Sequence, residues 1–399
     1  MNRIADDERR GANTSSNKED KIYVAISRVV FLAVLMLALS APLQALNYEV
    51  GGCKTGSSWV NFTTISAAVT GVPAGANIQV CPGVYPEQVT ITQPLTLLGI
   101  RSGNANRAVI TINPNGNLAP NVTSLIGEYL YAQVLVQSVN PPSPVNIIGI
   151  TVDGTNGPQQ GCTDANGFAG IFYASGTAGT VNEVTARNQI GGCGLGAGIW
   201  IENGAGPTQA ITVENSSVRN MDGPGIHNVS DQTPATIMAT IKGNFMTSAN
   251  SLAGNIEAVG VGVSGGAGTV ANNFITGGSI GISNSGNIFG PCCAITVSGN
   301  VLADIPGTLG TAILYSPNGS TAQSNKISNV YTAFDLTGSA TVKSNTSMNT
   351  AYGVLLRCSA NTVNGNTLND STYGFYQALS LITGNANFNI DTIQAGSCP

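Results

Sequence analysis

"TVKSNTSMNTAYGVLLRCSANTVNGNTLNDSTYGFY", residues 341–376, contains one short pattern twice. Val342, Asn345 and Gly353-Val354 return 21 residues later as Val363, Asn366 and Gly374-Phe375. Upstream, the pattern Val-x-x-Asn-x-apolar followed by Gly-apolar or Ala-apolar recurs. It is carried by Asn325 with Ala333-Phe334, Asn300 with Ala312-Ile313, Asn273 with Gly281-Ile282, and Asn244 with Gly260-Val261. Ser216 with Gly225-Ile226 and Asn188 with Gly198-Ile199 extend it toward the N-terminus, and Ile382 with Asn385 opens a last copy. The period is about 20 residues at the C-terminal end and 25 to 29 before it. Each copy holds two or three runs of three to five residues in which apolar positions alternate. One such unit cannot bury its own apolar face, but stacked units can. Helical repeats would need a 3.6-residue period, and leucine-rich repeats a leucine ladder; neither is present. The pattern therefore predicts an all-β, single-stranded parallel β-helix, a solenoid of roughly a dozen coils spaced by about 4.8 Å.

The same reading gives each repeated residue a task. Valines and isoleucines pile into a linear core. Asparagines sit where the chain turns and hydrogen-bond the asparagine of the next coil. The glycine after them permits a tight bend where a side chain would clash. An open stack leaves unpaired edges. "TTISAAVTGVPAG", with Ile65, Ala68 and Val69 at helical spacing behind Thr64, predicts a short N-terminal capping helix. "ANFNIDTIQAGSCP" is expected to close the other end.

Composition agrees. Of 399 residues 50 are Gly, roughly twice the usual share, and only 9% are charged, the reverse of a disordered chain. Residues 1–45 form a separate segment: a long polar start, Arg28, the apolar run "VVFLAVLMLAL" over 29–39, and small residues ending at Ala45. That order is an export signal, with an uncleaved anchor as the alternative reading. It places the β-helix domain, 46–399, in a secreted, periplasmic or cell-surface location, with no transmembrane span after signal removal. That domain has 9 Lys/Arg against 15 Asp/Glu, net −6, which argues against nucleic acid as a partner. Eight cysteines all follow the export segment, which favours disulfides. Cys53–Cys81 and Cys162–Cys193 are the preferred local pairs, Cys358–Cys398 would fasten the C-terminus, and adjacent Cys292-Cys293 stays open. Zinc is disfavoured, because no CxxC pair occurs and His227 is the sole histidine.

Thr63–Gly99 carries a resemblance. The small-residue stretch Ile65-Ser66-Ala67-Ala68-Val69, the turn Pro73-Ala74-Gly75, the run Gly83-Val84-Tyr85-Pro86-Glu87, and Val89, Ile91, Leu95, Leu97 and Gly99 look like the opening of right-handed parallel β-helix proteins of the pectin-lyase-like superfamily. The stretch resembles in particular pectinesterases and the periplasmic β-helix proteins that assist copper-site assembly in nitrous oxide reductase. With the repeat, the resemblance covers residues 50–399. It implies the right-handed fold and, since many such proteins act on acidic polysaccharides, a polysaccharide-active protein. The activity motifs do not follow. The pectinesterase contexts Gln-Asp-Thr, Asp-Phe-Ile-Phe-Gly and Leu-Gly-Arg-Pro-Trp are missing. The polygalacturonase set is reduced to "GIHN" at Gly225–Asn228, and one His with six Met gives no copper cluster.

The scarce ionisable residues gather in mid-chain. Aligning Gly198-Ile199-Trp200 with Gly225-Ile226-His227 sets Trp200 beside His227 on adjacent coils. Asp222 and Asp231 flank His227 as a carboxyl pair for glycosidic chemistry, making Asp222, His227 and Asp231 the candidate catalytic residues. Trp200 as an exposed sugar platform, Glu202 as an orienting carboxylate and Arg219 are the candidate substrate-binding residues. Tyr315, Tyr331, Tyr352, Tyr373 and Tyr376 form a second aromatic group. No metal site or required cofactor is expected, with calcium the one compatible ion, and the chain is expected to be a monomer. Two functions remain: a polysaccharide lyase or glycoside hydrolase, or a non-catalytic surface or periplasmic protein that binds carbohydrate or partners.

Overall fold

The computed structural model describes residues 47–399 except 103–104, 115–117, 126, 128, 138, 140–143, 158–165, 192–193, 205–207, 233–235, 248–258, 286–292, 307–309, 316–317, 358–360, 379–381, 384–392 and 397–399. The export segment lies outside the described residues, as do Asn385 and Cys162, Cys193, Cys292, Cys358 and Cys398.

Alternation sets the strands. Gln209–Glu214 buries Gln209, Ile211 and Val213, and Ile237–Lys242 buries Ile237, Ala239 and Ile241. The two strands pair parallel with those residues opposite one another, Ile211 on Ala239 and Val213 on Ile241. The same rule, repeated, builds a sheet of 14 strands. Apart from the inverted order of the first two strands, the sheet follows chain order from Asn47–Val50 to Ile382–Thr383. A second sheet of 21 strands takes two strands from each middle coil, for example Ser217–Arg219 and Ile226–Ser230. Each middle coil thus has three strands, and their inward side chains form one continuous core from Tyr48 to Leu368.

The shortening of the period has a structural cause. Lys326–Leu336 pairs with both Val301–Ile305 and Thr311–Tyr315, so two strands of the earlier coils have fused into one. Thr346–Arg357 and Thr367–Ala378 continue the fused form. Coils without a loop between those strands need fewer residues.

The asparagine stack is present. Asn244, Asn273, Asn300, Asn325, Asn345 and Asn366 are all buried. From Asn244 to Asn345, each donates both its backbone N–H and its Nδ2 to Oδ1 of the next, at 2.9–3.0 Å. Each Nδ2 also donates to a backbone carbonyl of the preceding coil, as Asn300 does to Val270 O. Ser216 begins the stack, accepting from Val184 N and donating its own N–H to Asn244 Oδ1. The residue before each member has a left-handed backbone: Asn215, Gly243, Asn272, Gly299, Ser324, Ser344 and Gly365. The bend is made there.

Two expectations change. The repeated glycine does not make the bend. A Cβ on Gly225 would lie 2.7 Å from Gly260 O, and one on Gly260 would lie 2.6 Å from Gly281 O. These glycines stand in register, where neighbouring coils approach too closely for a side chain. Asn188 is not a member of the inner stack either. Register places Thr185 on Ser217, so Val184 occupies the Ser216 position. Asn188 stands at a second, exterior bend, where its Oδ1 accepts from Asn220 Nδ2 at 2.6 Å.

A helix, α1, spans Ile65–Gly71; Thr64 Oγ1 accepts from Ala67 N, and Ile65, Ala68 and Val69 enter the core. Glu87 supplies the rest of its N-terminal capping, accepting from Ile65 N and Ser66 N at 2.8 Å each. A carboxylate on those donors stabilises a helix end by about 1 kcal/mol. Cys53 and Cys81 form a disulfide, and no described cysteine is free. Among the described residues no helix is long and apolar enough to cross a membrane.

Candidate functional site

Along the third strand of the coils, side chains at one outward position stand in register: Leu135, Phe172, Trp200, His227, Gly262, Ser283 and Leu314. Trp200 and His227 are opposite each other on adjacent coils, as the sequence alignment requires. Their ring centroids are 4.6 Å apart at 65°, and Trp200 also stacks on Phe172 at 6.1 Å.

Trp200 is not an exposed platform. It is 3% accessible, and Glu202 is equally buried. The cause is chain that joins Ala108–Thr111 to Tyr129–Val136 and lies over this face. Val122 packs against the cluster that contains Leu135, Phe172 and Trp200, and Leu125 N donates to Glu202 Oε2. Asn121 is tied to Ala132 N and O, and Gln88 to Ala119. Glu202 Oε2 also accepts from Trp200 Nε1 at 3.3 Å. The pair supports the ring against which His227 leans.

His227, on the next coil, is half-buried. Nε2 is 3.3 Å from Ser264 Oγ, which is 3.4 Å from Ser285 Oγ. Nδ1 is buried without a protein hydrogen-bond partner among the described residues. Burial pushes the imidazole down to about 4, so the ring is neutral at neutral pH and Nε2 can accept from Ser264. A chain acquires a pH dependence from such a group. Between about 4 and an unfolded value near 6.5 the unfolded chain binds the extra proton. Stability present above pH 6.5 is therefore lost as the pH falls toward 4, by at most roughly 3 kcal/mol. His227→Gln should flatten that limb of a melting-temperature profile; an unchanged slope would mean that the ring titrates normally.

The remaining candidates have separate positions. Asp222 is buried, and its Oδ1 accepts from Gly191 N at 3.1 Å and Gly196 N at 2.8 Å, clamping the preceding coil. Its Oδ2 has no protein partner among the described residues. Asp231 is half-buried and accepts from Gln232 Nε2 at 2.7 Å. Arg219 is exposed on the second strand of its coil, in register with Arg187. Arg187 holds Asp153 through Nη2 at 2.7 Å. Burial works to raise the Asp153 carboxyl, but hydrogen bonds from Thr155, Asn188 and Arg187 outweigh it and leave it below the usual range. The structure thus joins Trp200, Glu202 and His227, and adds Ser264 and Ser285, which the sequence did not single out. Their signal was available: Ser264 lies two residues past Gly262, the register partner of His227.

Tyr331, Tyr352 and Tyr373 form a stack on the C-terminal coils, with centroids 5.4 and 5.2 Å apart. Tyr315 does not belong to it: it is fully buried and donates to Thr321 O. The Tyr376 side chain lies outside the described residues. Phe245 and Phe274 make a further exposed stack at 5.4 Å.

No family profile and no curated relative matches the chain. Solved structures similar in backbone include pectin methylesterase PemA from Erwinia chrysanthemi, at 13% identity over 71% of this chain and 79% of that one, TM-score 0.40. An alginate lyase from Paenibacillus sp. is similar at 14% identity over 75% and 95%, TM-score 0.43. The A-module of a mannuronan C-5 epimerase from Azotobacter vinelandii is similar at 16% identity over 84% and 91%, TM-score 0.48. Likeness at that level says nothing about chemistry; the chain's own parallel register, coil upon coil, identifies it as a β-helix protein.

Proposed function

We propose that the chain is an exported parallel β-helix protein that binds polysaccharide along the outward face of its third strands, at the edge of the covered region around His227. The observation that carries this reading is the succession His227, Ser264, Ser285, an imidazole and two hydroxyls linked at 3.3 and 3.4 Å beside an aromatic wall. Neutral donors and acceptors suit sugar hydroxyls, the half-buried imidazole adds a ring edge, and the coils succeed one another at a pitch an extended polymer can follow. Trp200 and Glu202 act here by fixing His227, and Arg219 faces solvent as a separate contact. If bond cleavage accompanies binding, Asp222, His227 and Asp231 are the groups for it, as lyase or glycoside hydrolase. The engagement of Asp222 by Gly191 and Gly196 favours the second reading, a non-catalytic binding or interaction protein. The location is secreted, periplasmic or cell-surface. Calcium is an optional companion and the monomer the working state. The coils wind right-handed, by the strong preference of parallel crossovers, and α1 covers the first of them.

The test is a polysaccharide panel, neutral and acidic, with and without calcium. Retention of at least one polymer, weakened tenfold or more in Ser264→Ala and His227→Ala, is expected. Retention unaffected by both substitutions, or no retention at all, would overturn the site. Released oligosaccharides that disappear in Asp231→Asn would assign catalysis; retention without products would assign binding alone.

A further inference from the structure

The first coil holds a cluster independent of the site just described. Glu49, in strand Asn47–Val50, is 1% accessible. A carboxylate in such a place needs compensation. Among the described residues its hydrogen-bond donor is Lys54 N, at 2.8 Å. Cys81 Sγ lies 3.5 Å from Glu49 Oε2, and in a disulfide it has no proton to give. Gly51 and Gly52, with φ of +96° and +71°, turn the chain back so that exposed Cys53 returns to the same point. Ligand atoms of Glu49, Cys53 and Cys81 all lie within 4.8 Å of one another. Two sulfurs on one tetrahedral zinc ion stand about 3.8 Å apart, with a carboxylate oxygen slightly closer. The two sulfurs are bonded to each other, so reduction must part them before both can face one ion, but the fold already brings the three side chains to one point, hidden in sequence by the separation of 28 positions between the cysteines.

We propose that Glu49, Cys53 and Cys81 form a site for a soft divalent cation such as zinc when the disulfide is reduced, and that the ion then fastens the same two segments that the disulfide fastens. A dithiol reductant delivers two electrons and two protons to the Cys53–Cys81 bond and leaves as its own disulfide. The cation then displaces the two thiol protons to solvent and takes two thiolates. The Glu49 carboxylate supplies the third ligand and water the fourth. Exposed Cys53 provides the route of entry, and the site gives a reason for an acid buried with no lysine or arginine side chain paired to it among the described residues.

The test is titration of the anaerobically reduced full chain with zinc, followed by calorimetry, and with cobalt, followed by thiolate charge-transfer absorption. Because other cysteines can also bind these ions, the readout is a difference. Cys81→Ser and Cys53→Ser should each bind one ion fewer than the parent. Glu49→Gln should keep the stoichiometry but weaken that ion's binding tenfold or more. About two protons should be released per ion at this site near pH 7. Equal stoichiometry in both cysteine variants, or unchanged affinity in Glu49→Gln, would overturn the proposal. Circular dichroism of Cys53→Ser, whose side chain is exposed, separates lost ligation from lost folding.

Discussion

Replacing Asn300 by Leu is expected to destabilise the chain by roughly 3–5 kcal/mol, although leucine has the same branching and number of side-chain heavy atoms as asparagine and is apolar. The reason is what remains behind. Asn273 N loses its acceptor, Asn300 Oδ1 at 2.9 Å, and Val270 O loses its donor, Asn300 Nδ2, also at 2.9 Å. The side-chain links to Asn273 and Asn325 are lost as well. All of these groups are in the interior of the stack, where no water replaces the partner, and each orphan costs about 1–3 kcal/mol. Asn300→Ser should cost less, because Ser216 already holds the equivalent place one end along, its hydroxyl accepting from Val184 N. Urea unfolding of the three proteins measures the difference. A leucine variant within 1 kcal/mol of the parent would show that the stack sets register without contributing stability.

Val342→Asp is expected to be worse, on the order of 5 kcal/mol. Val342 is fully buried and stands in register between Ala322 and Val363, both fully buried. The substitution forfeits the apolar burial of the valine, about 2 kcal/mol, and places a carboxylate among aliphatic neighbours, with no cation in the core among the described residues. In a stack, each coil relies on its two neighbours, so a break here weakens both interfaces at once. Lys343→Asp, one residue on and exposed, is the control, and should shift stability by no more than about 0.5 kcal/mol. If the two variants melt alike, the inward and outward faces are assigned the wrong way round.

Legibility followed periodicity. The valines, the inner asparagines and the Trp200–His227 pairing could all be read from the chain, because like-on-like stacking turns an interval in sequence into a neighbour in space. Where the interval broke, reading failed. Asn188 looked like a member of the inner stack because it precedes a Gly-apolar pair, yet register assigns that place to Val184, which carries no amide to announce itself. Trp200 looked exposed because its position in the repeat faces outward; the cover that buries it comes from residues joining two strands of earlier coils, with no repeat to align. Asp222 reads as half of an acid pair, and nothing in the pattern signals that its Oδ1 also accepts from the backbone N–H groups of Gly191 and Gly196.

The sequence by itself determined the parallel stack, its inward faces and its core, since a period of alternating apolar residues has one economical way of burying itself. Only the tertiary structure decided which outward groups meet solvent and which meet one another: His227 with Ser264, Trp200 under a loop, Glu49 against Cys81. The cover over Trp200 is a non-repeating segment, and nothing in a local pattern records where such a segment comes to rest; the other two contacts join neighbouring strands and show only once the register is known.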